Sequence, residues 1–178
     1  MELMQAVNER RSIRNYKEGI GITEDQLKEL IACAQLAPSW KNSQTGRYYV
    51  ALSEEAKAKV YATLPEFNSN SSKNASALIV TTFEMKRAGF DREGNPDNEL
   101  GDQWGAYDLG LQNENLLLRA RDMGYDTLVM GIRDSRAIRE IFDIPESQQV
   151  VAVIAVGVRE NDGVMPKRKD IESILKVL

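Results

Sequence analysis

Two unbroken apolar runs constrain this 178-residue chain more than anything else in it: Ala77 to Phe83 (ALIVTTF) and Gln149 to Val158 (QVVAVIAVGV). Both are rich in β-branched residues and lack the in-out alternation of a strand with one wet face, so both read as strands buried in a sheet. Tyr48 to Leu52 and Thr127 to Met130, the latter ending at Gly131, read as shorter strands. Helical patterns surround them. Met1 to Glu9 places Leu3, Met4 and Val7 on one face. Thr23 and Gln26 form a capping box ahead of Leu27, Leu30, Ile31 and Ala34, and that helix must stop near Pro38. Ser53 caps a helix to about Thr63, and Ser135 to Phe142 is another, stopped before Pro145. The longest runs from Gln103 to Met123, with Tyr107, Gly110, Leu111, Glu114, Leu117 and Leu118 along one stripe and Gly124 as its stop. Pro65 to Asn74 reads as a polar loop. Glu84 to Asp102 has no period and contains Gly89, Gly94, Pro96 and Gly101, so it reads as a long loop and a solvated acidic lid. The elements mix without regular β-α-β alternation. The expected architecture is an α+β sandwich with helices on a central sheet, in one domain spanning residues 1–178.

Composition removes whole classes of chemistry. There is no histidine and a single cysteine, Cys33. Ser-His-Asp and Cys-His catalysis, the commonest zinc sites and an intrachain disulfide are therefore excluded. Cys33, between apolar neighbours on a helix, reads as a buried inert thiol. Asp91, Glu93, Asp97, Glu99 and Asp102 lack the spacing of a calcium loop, so no metal is expected. Demanding chemistry must come from a borrowed cofactor or from carboxylates, Lys and Tyr. A net charge of −4 argues against nucleic acid or an anionic membrane as partner. No apolar run approaches the roughly 20 residues that span a bilayer. The opening MELMQAVNERR does not read as a secretory signal, because its charges follow a very short apolar stretch. A cytoplasmic protein is expected.

Two segments carry chemistry. In Arg10-Arg11-Ser12-Ile13-Arg14, alternate side chains of an extended backbone share a side, so Arg10, Ser12 and Arg14 converge. Two guanidinium groups and a hydroxyl suit a phosphate monoester. Lys167-Arg168-Lys169 offers a second basic cluster. From charge alone, two solvated surface turns are the favoured reading. The second segment, Ala37-Pro38-Ser39-Trp40-Lys41-Asn42-Ser43-Gln44, is a helix end followed by small and amide side chains that suit a heterocycle's edge, or an ordinary connection.

Together these segments resemble the nitroreductase family of FMN-dependent oxidoreductases. Arg10 to Tyr16 is similar to its R-R-S-x-R-x-[FY] opening and Ala37 to Gln44 to its A-P-S-x-x-N-x-Q segment. Pro65-Glu66-Phe67-Asn68 with the following strand, Asn113 to Leu118, Gly124 to Gly131, and Val153 to Gly157 with the basic stretch after it follow in the family's order. The resemblance implies an intertwined homodimer around a mixed, mainly antiparallel sheet. It implies tight, non-covalent FMN at the interface and NADH or NADPH as reductant. The acceptor would be a small organic molecule such as a nitroaromatic or quinone, reduced in a ping-pong cycle in which the flavin carries the chemistry and no side chain is catalytic. Arg10, Ser12 and one or both of Arg168 and Lys169 would hold the phosphate. Arg14 would sit near flavin N1 and O2. Pro38, Ser39, Trp40 and Asn42 would reach the ring from the partner subunit. Asn68, or else Asn70, would pair with the pyrimidine edge, and the Met130-Gly131 backbone would approach N5. Arg11 and Gln44 belong to the same expected set. Phe90, Trp104 and Tyr107 read as core or as substrate-facing aromatics. Other flavin roles on the same scaffold, or a non-enzymatic flavin sensor, are the alternatives. Arg159, in no motif, is expected to be neutral toward the site.

Overall fold

A computed structural model describes residues 1–178. Four strands form one sheet: β1 (Gly46–Ala51), β2 (Ala77–Glu84), β3 (Asp126–Met130) and β4 (Gln148–Gly157). Their order is β1-β2-β4-β3, and every neighbouring pair is antiparallel. The parallel component is a single bridge, between Ser12 and Thr127 at the β3 edge.

The two apolar runs occupy the two central positions, and the period of 2 explains why they are apolar throughout. Leu78, Val80, Val153 and Ala155 face one core, closed by Val60 and Ile138 from the helices α3 (Glu54–Tyr61) and α6 (Ser135–Phe142). Ala77, Ile79, Ile154 and Val156 face a second core, closed by Leu27, Leu30, Leu116 and Ala120 from α2 (Glu24–Gln35) and α5 (Gln103–Asp122). Each large side chain so buried contributes roughly 1.5–3 kcal/mol. The Thr23 capping box is present with both of its hydrogen bonds.

Three expectations need correction. Pro65 to Asn74 is not a loop. Glu66–Ser72 forms a short helix, α4, with Pro65 at its N-cap and Asn68 and Ser72 buried. Its hydroxyls back-bond to the turn before, Ser69 Oγ to Glu66 O at 3.0 Å and Ser72 Oγ to Asn68 O at 2.8 Å, so the polar residues satisfy one another inside the helix. The inward stripe of α5 is Gly105, Asp108, Leu109, Gln112, Leu116, Leu117 and Ala120, sharing only Leu117 with the expected one. The helix is rotated because Asp108 and Gln112 are buried as hydrogen-bonding groups and not exposed as polar ones. Tyr107, read as core or as substrate-facing, is 60% exposed and so not core. Finally, the first helix, α1 (Leu3–Glu9), forms but turns Leu3, Met4 and Val7 to solvent and buries only Ala6. Cys33 is half-buried and unbonded to another cysteine. The segment from Glu84 to Asp102 holds no helix or strand beyond the shared ends, yet its backbone is tied across itself by Asp97 N–H to Gly89 O at 2.7 Å.

Candidate functional site

The segment Arg10–Arg14 leaves α1 and runs beside β3. Ile13 N–H donates to Thr127 O at 3.0 Å, and Ile13 is buried while Ser12 and Arg14 are exposed. The alternation expected of an extended chain is present. A buried ion network holds the start of this segment. The Asp126 carboxylate, with no exposed side-chain surface, accepts from Arg159 Nε at 2.7 Å and Arg159 Nη2 at 2.5 Å, and from Arg121 Nη1 at 3.2 Å. Arg159 also donates to Glu9 O at 3.2 Å, and Arg121 Nε lies 3.3 Å from Glu9 Oε2, so the last residue of α1 is pinned. The hydrogen-bonded Asp126 carboxylate holds the Arg159 guanidinium above its usual pKa. Arg159 is therefore structural, spent on Asp126 and the end of α1 and on none of the expected site residues. Its partner lies 33 residues away, which no motif could reveal.

The three arginines differ in what they touch. Arg10 Nε lies 3.4 Å from Glu114 Oε1 on α5. Arg11 donates to Arg10 O at 2.5 Å, and Arg14 donates to Ser12 O at 3.2 Å; neither has a carboxylate partner. Beyond β4 the chain returns along this segment. Glu160 N–H donates to Asn15 O at 3.1 Å, and Gly163 packs so closely on Arg11 that an added Cβ would lie 2.8 Å from the Arg11 Cβ. Lys167 follows four residues later, within a reach of roughly 14 Å. Lys167, Arg168 and Lys169 line a shallow groove with Asp170 and Ser173, and none of Arg10–Arg14 lines it. Arg168 donates only to Pro166 O, at 3.1 Å.

The Ala37–Gln44 connection is a strained turn. Trp40–Asn42 is one 3-10 turn, and Lys41, Asn42 and Gln44 have φ of 46°, 55° and 48°. Left-handed geometry at non-glycine residues costs on the order of 1 kcal/mol or more each and gathers at ligand sites. Its restraints are identifiable: Trp40 N–H donates to Asp108 Oδ2 at 2.8 Å, and Gln44 N–H to Ser39 Oγ at 3.1 Å. Burial raises the Asp108 pKa, and the Trp40 N–H partly offsets that. The Trp40 and Trp104 rings lie 4.5 Å apart, Trp104 and Tyr107 5.5 Å, and Lys41 Nζ sits 2.6 Å from Asp97 Oδ2. The acidic segment is thus docked on this turn. Ser43 Oγ and Thr45 Oγ1 are buried without a partner. Gln44 and Ser43 line a cavity of about 590 Å³ with Gly46, Arg47, Tyr48 and Gln112. The Gln112 side-chain amide fills the space beside Gly46, where an added Cβ would displace it.

The third piece is the turn after β3. Asn68 Nδ2 donates to Ile132 O at 2.9 Å, so Asn68, and not the exposed Asn70, belongs to this turn. Arg133 donates from Nη1 to Gly131 O at 3.1 Å and from Nη2 to Val150 O at 2.6 Å. The N–H groups of Gly131 and Ile132 have no acceptor within the protein. A Cβ built on Gly131 would meet nothing within 4 Å. The turn is exposed and carries two donors without a protein acceptor, groups that can serve a flat ligand's acceptor edge. Arg133 was not singled out by any motif.

A larger cleft of about 670 Å³, lined by Glu18–Ile22, Glu54, Lys57, Tyr61 and Lys73–Ser76, contains none of the expected site residues. Part of its lining is tied within the fold: Lys57 Nζ reaches Ala75 O at 3.0 Å and Glu54 Oε1 at 2.8 Å, and Tyr61 donates to Ser72 O at 2.7 Å. No helix is long and apolar enough to cross a membrane, and no cluster of acidic or cysteine side chains forms a metal site.

The nitroreductase family model matches residues 7–158. YdgI of Bacillus subtilis, provisionally named an NAD(P)H nitroreductase, is 29% identical over 97% of this chain and 96% of its own length. An Archaeoglobus fulgidus protein, provisionally named an NADH dehydrogenase/NAD(P)H nitroreductase, is 30% identical over 88% of this chain and 84% of its own. A provisionally named nitroreductase of Exiguobacterium sibiricum, solved in complex with FMN, superposes with a TM-score of 0.89 at 26% identity, covering 100% of this chain and 98% of that one.

Proposed function

The chain belongs to the nitroreductase family, and from that premise we propose that it is an FMN-dependent oxidoreductase. It is a single FMN-binding domain that acts as a cytoplasmic homodimer. It takes reducing equivalents from NADH or NADPH and passes them to small organic acceptors, nitroaromatics or quinones, in a ping-pong cycle. FMN, when bound, supplies the reversible two-electron chemistry that no side chain here can supply. The observation that carries this reading is the exposed Gly131–Arg133 turn, with two N–H donors that have no protein acceptor, in a chain whose Arg11 and Arg14 also lack carboxylate partners.

The roles of the chain's own residues follow. Arg10, Arg11, Ser12, Arg168 and Lys169 hold the phosphate, with Glu114 competing for Arg10 until the ligand displaces it. Arg14 contributes positive charge at the ring. Asn68 and the Met130-Gly131 backbone orient the ring edge. Pro38, Ser39, Trp40, Asn42 and Gln44 serve the second chain's flavin. Exposed apolar side chains support a dimer: Leu3, Met4 and Val7 on α1, and Ile174, Leu175 and Val177 in the tail, all at least 42% exposed.

The test is the visible spectrum of the purified protein with mass identification of what heat releases, alongside light scattering. A yellow dimer releasing about one FMN per chain, with parallel lines in steady-state kinetics, is expected. A colourless protein that ignores added FMN refutes the reading, and intersecting lines refute the single-site cycle.

A further inference from the structure

We propose that Arg133 is a positioning residue that sets the electron affinity of the site: it clamps the Gly131 peptide and holds an un-neutralised positive charge behind the free N–H donors of Gly131 and Ile132. The inference rests on the reading that a flavin lies against this turn.

The β3–β4 ladder ends at Met130 opposite Val153. Past that point the two strands have no backbone pairing, and the Arg133 guanidinium spans the gap, one nitrogen to Gly131 O and the other to Val150 O. Asn68 takes Ile132 O, and Asp134 N–H donates to Thr63 O at 2.7 Å. The carbonyls of Gly131 and Ile132 are thus both engaged by the protein, while their N–H groups are left free.

A neutral amide side chain could fill one of those roles without bringing a charge into the protein. Arg133 brings one and leaves Nε buried with no partner. It has no carboxylate within ion-pair distance, unlike Arg121 and Arg159. The acids that share its cavity or adjoin it in the chain form no ion pair with it and bond to backbone N–H groups instead. Asp102, which lines a cavity of about 410 Å³ with Arg133, Gln103 and Gln149, accepts from Lys86 N–H. Asp134 caps α6 by accepting from the N–H groups of Arg136 and Ala137 at 3.0 Å. Two effects follow. A carbonyl that accepts from a cation polarises its peptide, so the Ile132 N–H becomes the stronger donor. A cation held near a ring that gains negative charge on reduction favours the reduced form.

The test compares the wild-type holoenzyme with Arg133→Gln and Arg133→Lys. Arg133→Gln should lower the equilibrium constant for two-electron reduction of bound FMN about tenfold, read as a midpoint potential lower by about 30 mV. Arg133→Lys keeps the charge and should recover most of that shift. In the ligand-free chain, the Ile132 amide proton should move upfield in Arg133→Gln and less so in Arg133→Lys. An unchanged potential in Arg133→Gln, or a shift in Arg133→Lys as large as in Arg133→Gln, overturns the proposal. If the Gln variant does not retain FMN, the amide shift in the ligand-free chain decides, and an unmoved Ile132 signal overturns it. A wild-type protein that binds no FMN refutes the functional reading separately, since the amide measurement needs no flavin.

Discussion

Replacing Arg159 by alanine tests whether the Asp126 network is what holds the Arg10–Arg14 segment in place. The Asp126 side chain has no exposed surface and loses contacts at 2.5 and 2.7 Å, keeping only Arg121 Nη1 at 3.2 Å. Breaking a buried pair costs about 3–5 kcal/mol. Because Arg121 remains, the lower figure of about 3 kcal/mol applies. In a domain of this size 1 kcal/mol moves Tm by about 2–4 °C, so Arg159→Ala should melt about 6–12 °C below wild type. Asp126→Asn should cost less, because it leaves behind arginines that are 16% and 19% exposed and can reach water, whereas Arg159→Ala leaves a carboxylate that cannot. The sign of the pH dependence is fixed as well. The folded-state pKa of Arg159 is raised above its usual value, so its contribution is fully present below that usual value and is lost only as pH rises through the folded one. Between about pH 6 and 9 the Tm gap should therefore stay flat. Differential scanning calorimetry of wild type, both single variants and the double variant reads all of this. A Tm loss under about 2 °C, a larger loss for Asp126→Asn than for Arg159→Ala, or simple additivity in the double variant would refute the network as the anchor.

Two further outcomes separate site from scaffold. Gly131→Ala adds a Cβ that meets nothing within 4 Å, so stability should stay within about 0.5 kcal/mol of wild type while FMN affinity falls about tenfold; a matching loss of Tm in the ligand-free protein would show that Gly131 serves the fold instead. At high pH the protein should lose stability steeply. Burial raises the pKa of Tyr16, Tyr48 and Tyr61, the last to about 12. Raised folded values mean that the stability is complete below the ordinary tyrosine range near 10 and is lost as pH rises through the folded values, by up to about 1.4 kcal/mol per pH unit for each group. Urea midpoints between about pH 9.5 and 11 should fall, and Tyr61→Phe should flatten the slope; an unchanged slope in Tyr61→Phe would remove that residue from the account.

Much of the fold was legible, and the reasons are specific. β2 and β4 are buried on both faces, so their composition alone marks them as central. α2 carries a complete capping box, and α6 ends before Pro145 as expected. What escaped reading depends on partners distant in the chain. α4 is built from Asn and Ser, which rarely favour a helix interior; it forms because Ser72 and Ser69 back-bond and Asn68 Nδ2 finds Ile132 O, 64 residues away. The face of α5 was misjudged because a count of apolar residues puts Asp108 and Gln112 outside, whereas Asp108 accepts from Trp40 N–H and Gln112 from Tyr48 OH, from segments 68 and 64 residues distant.

The same distinction governs the site. The motifs drew attention to Arg10, Arg11 and Arg14 and passed over Arg133 and Arg159, although all five are the same residue type on a chain of net charge −4. Their difference lies in the partner. Arg159 is consumed by a buried carboxylate and pins the end of α1, so it is unavailable to any ligand. Arg10 is shared with Glu114, which is 52% exposed and can be displaced at little cost. Arg11, Arg14 and Arg133 donate only to backbone carbonyls and keep their charge. A guanidinium that is hydrogen-bonded but not neutralised is positioned without being spent, which is what binding an anion or stabilising a developing negative charge demands. Sequence pattern locates the cations; only the inventory of their acceptors separates the ones that build the site from the ones that can act in it.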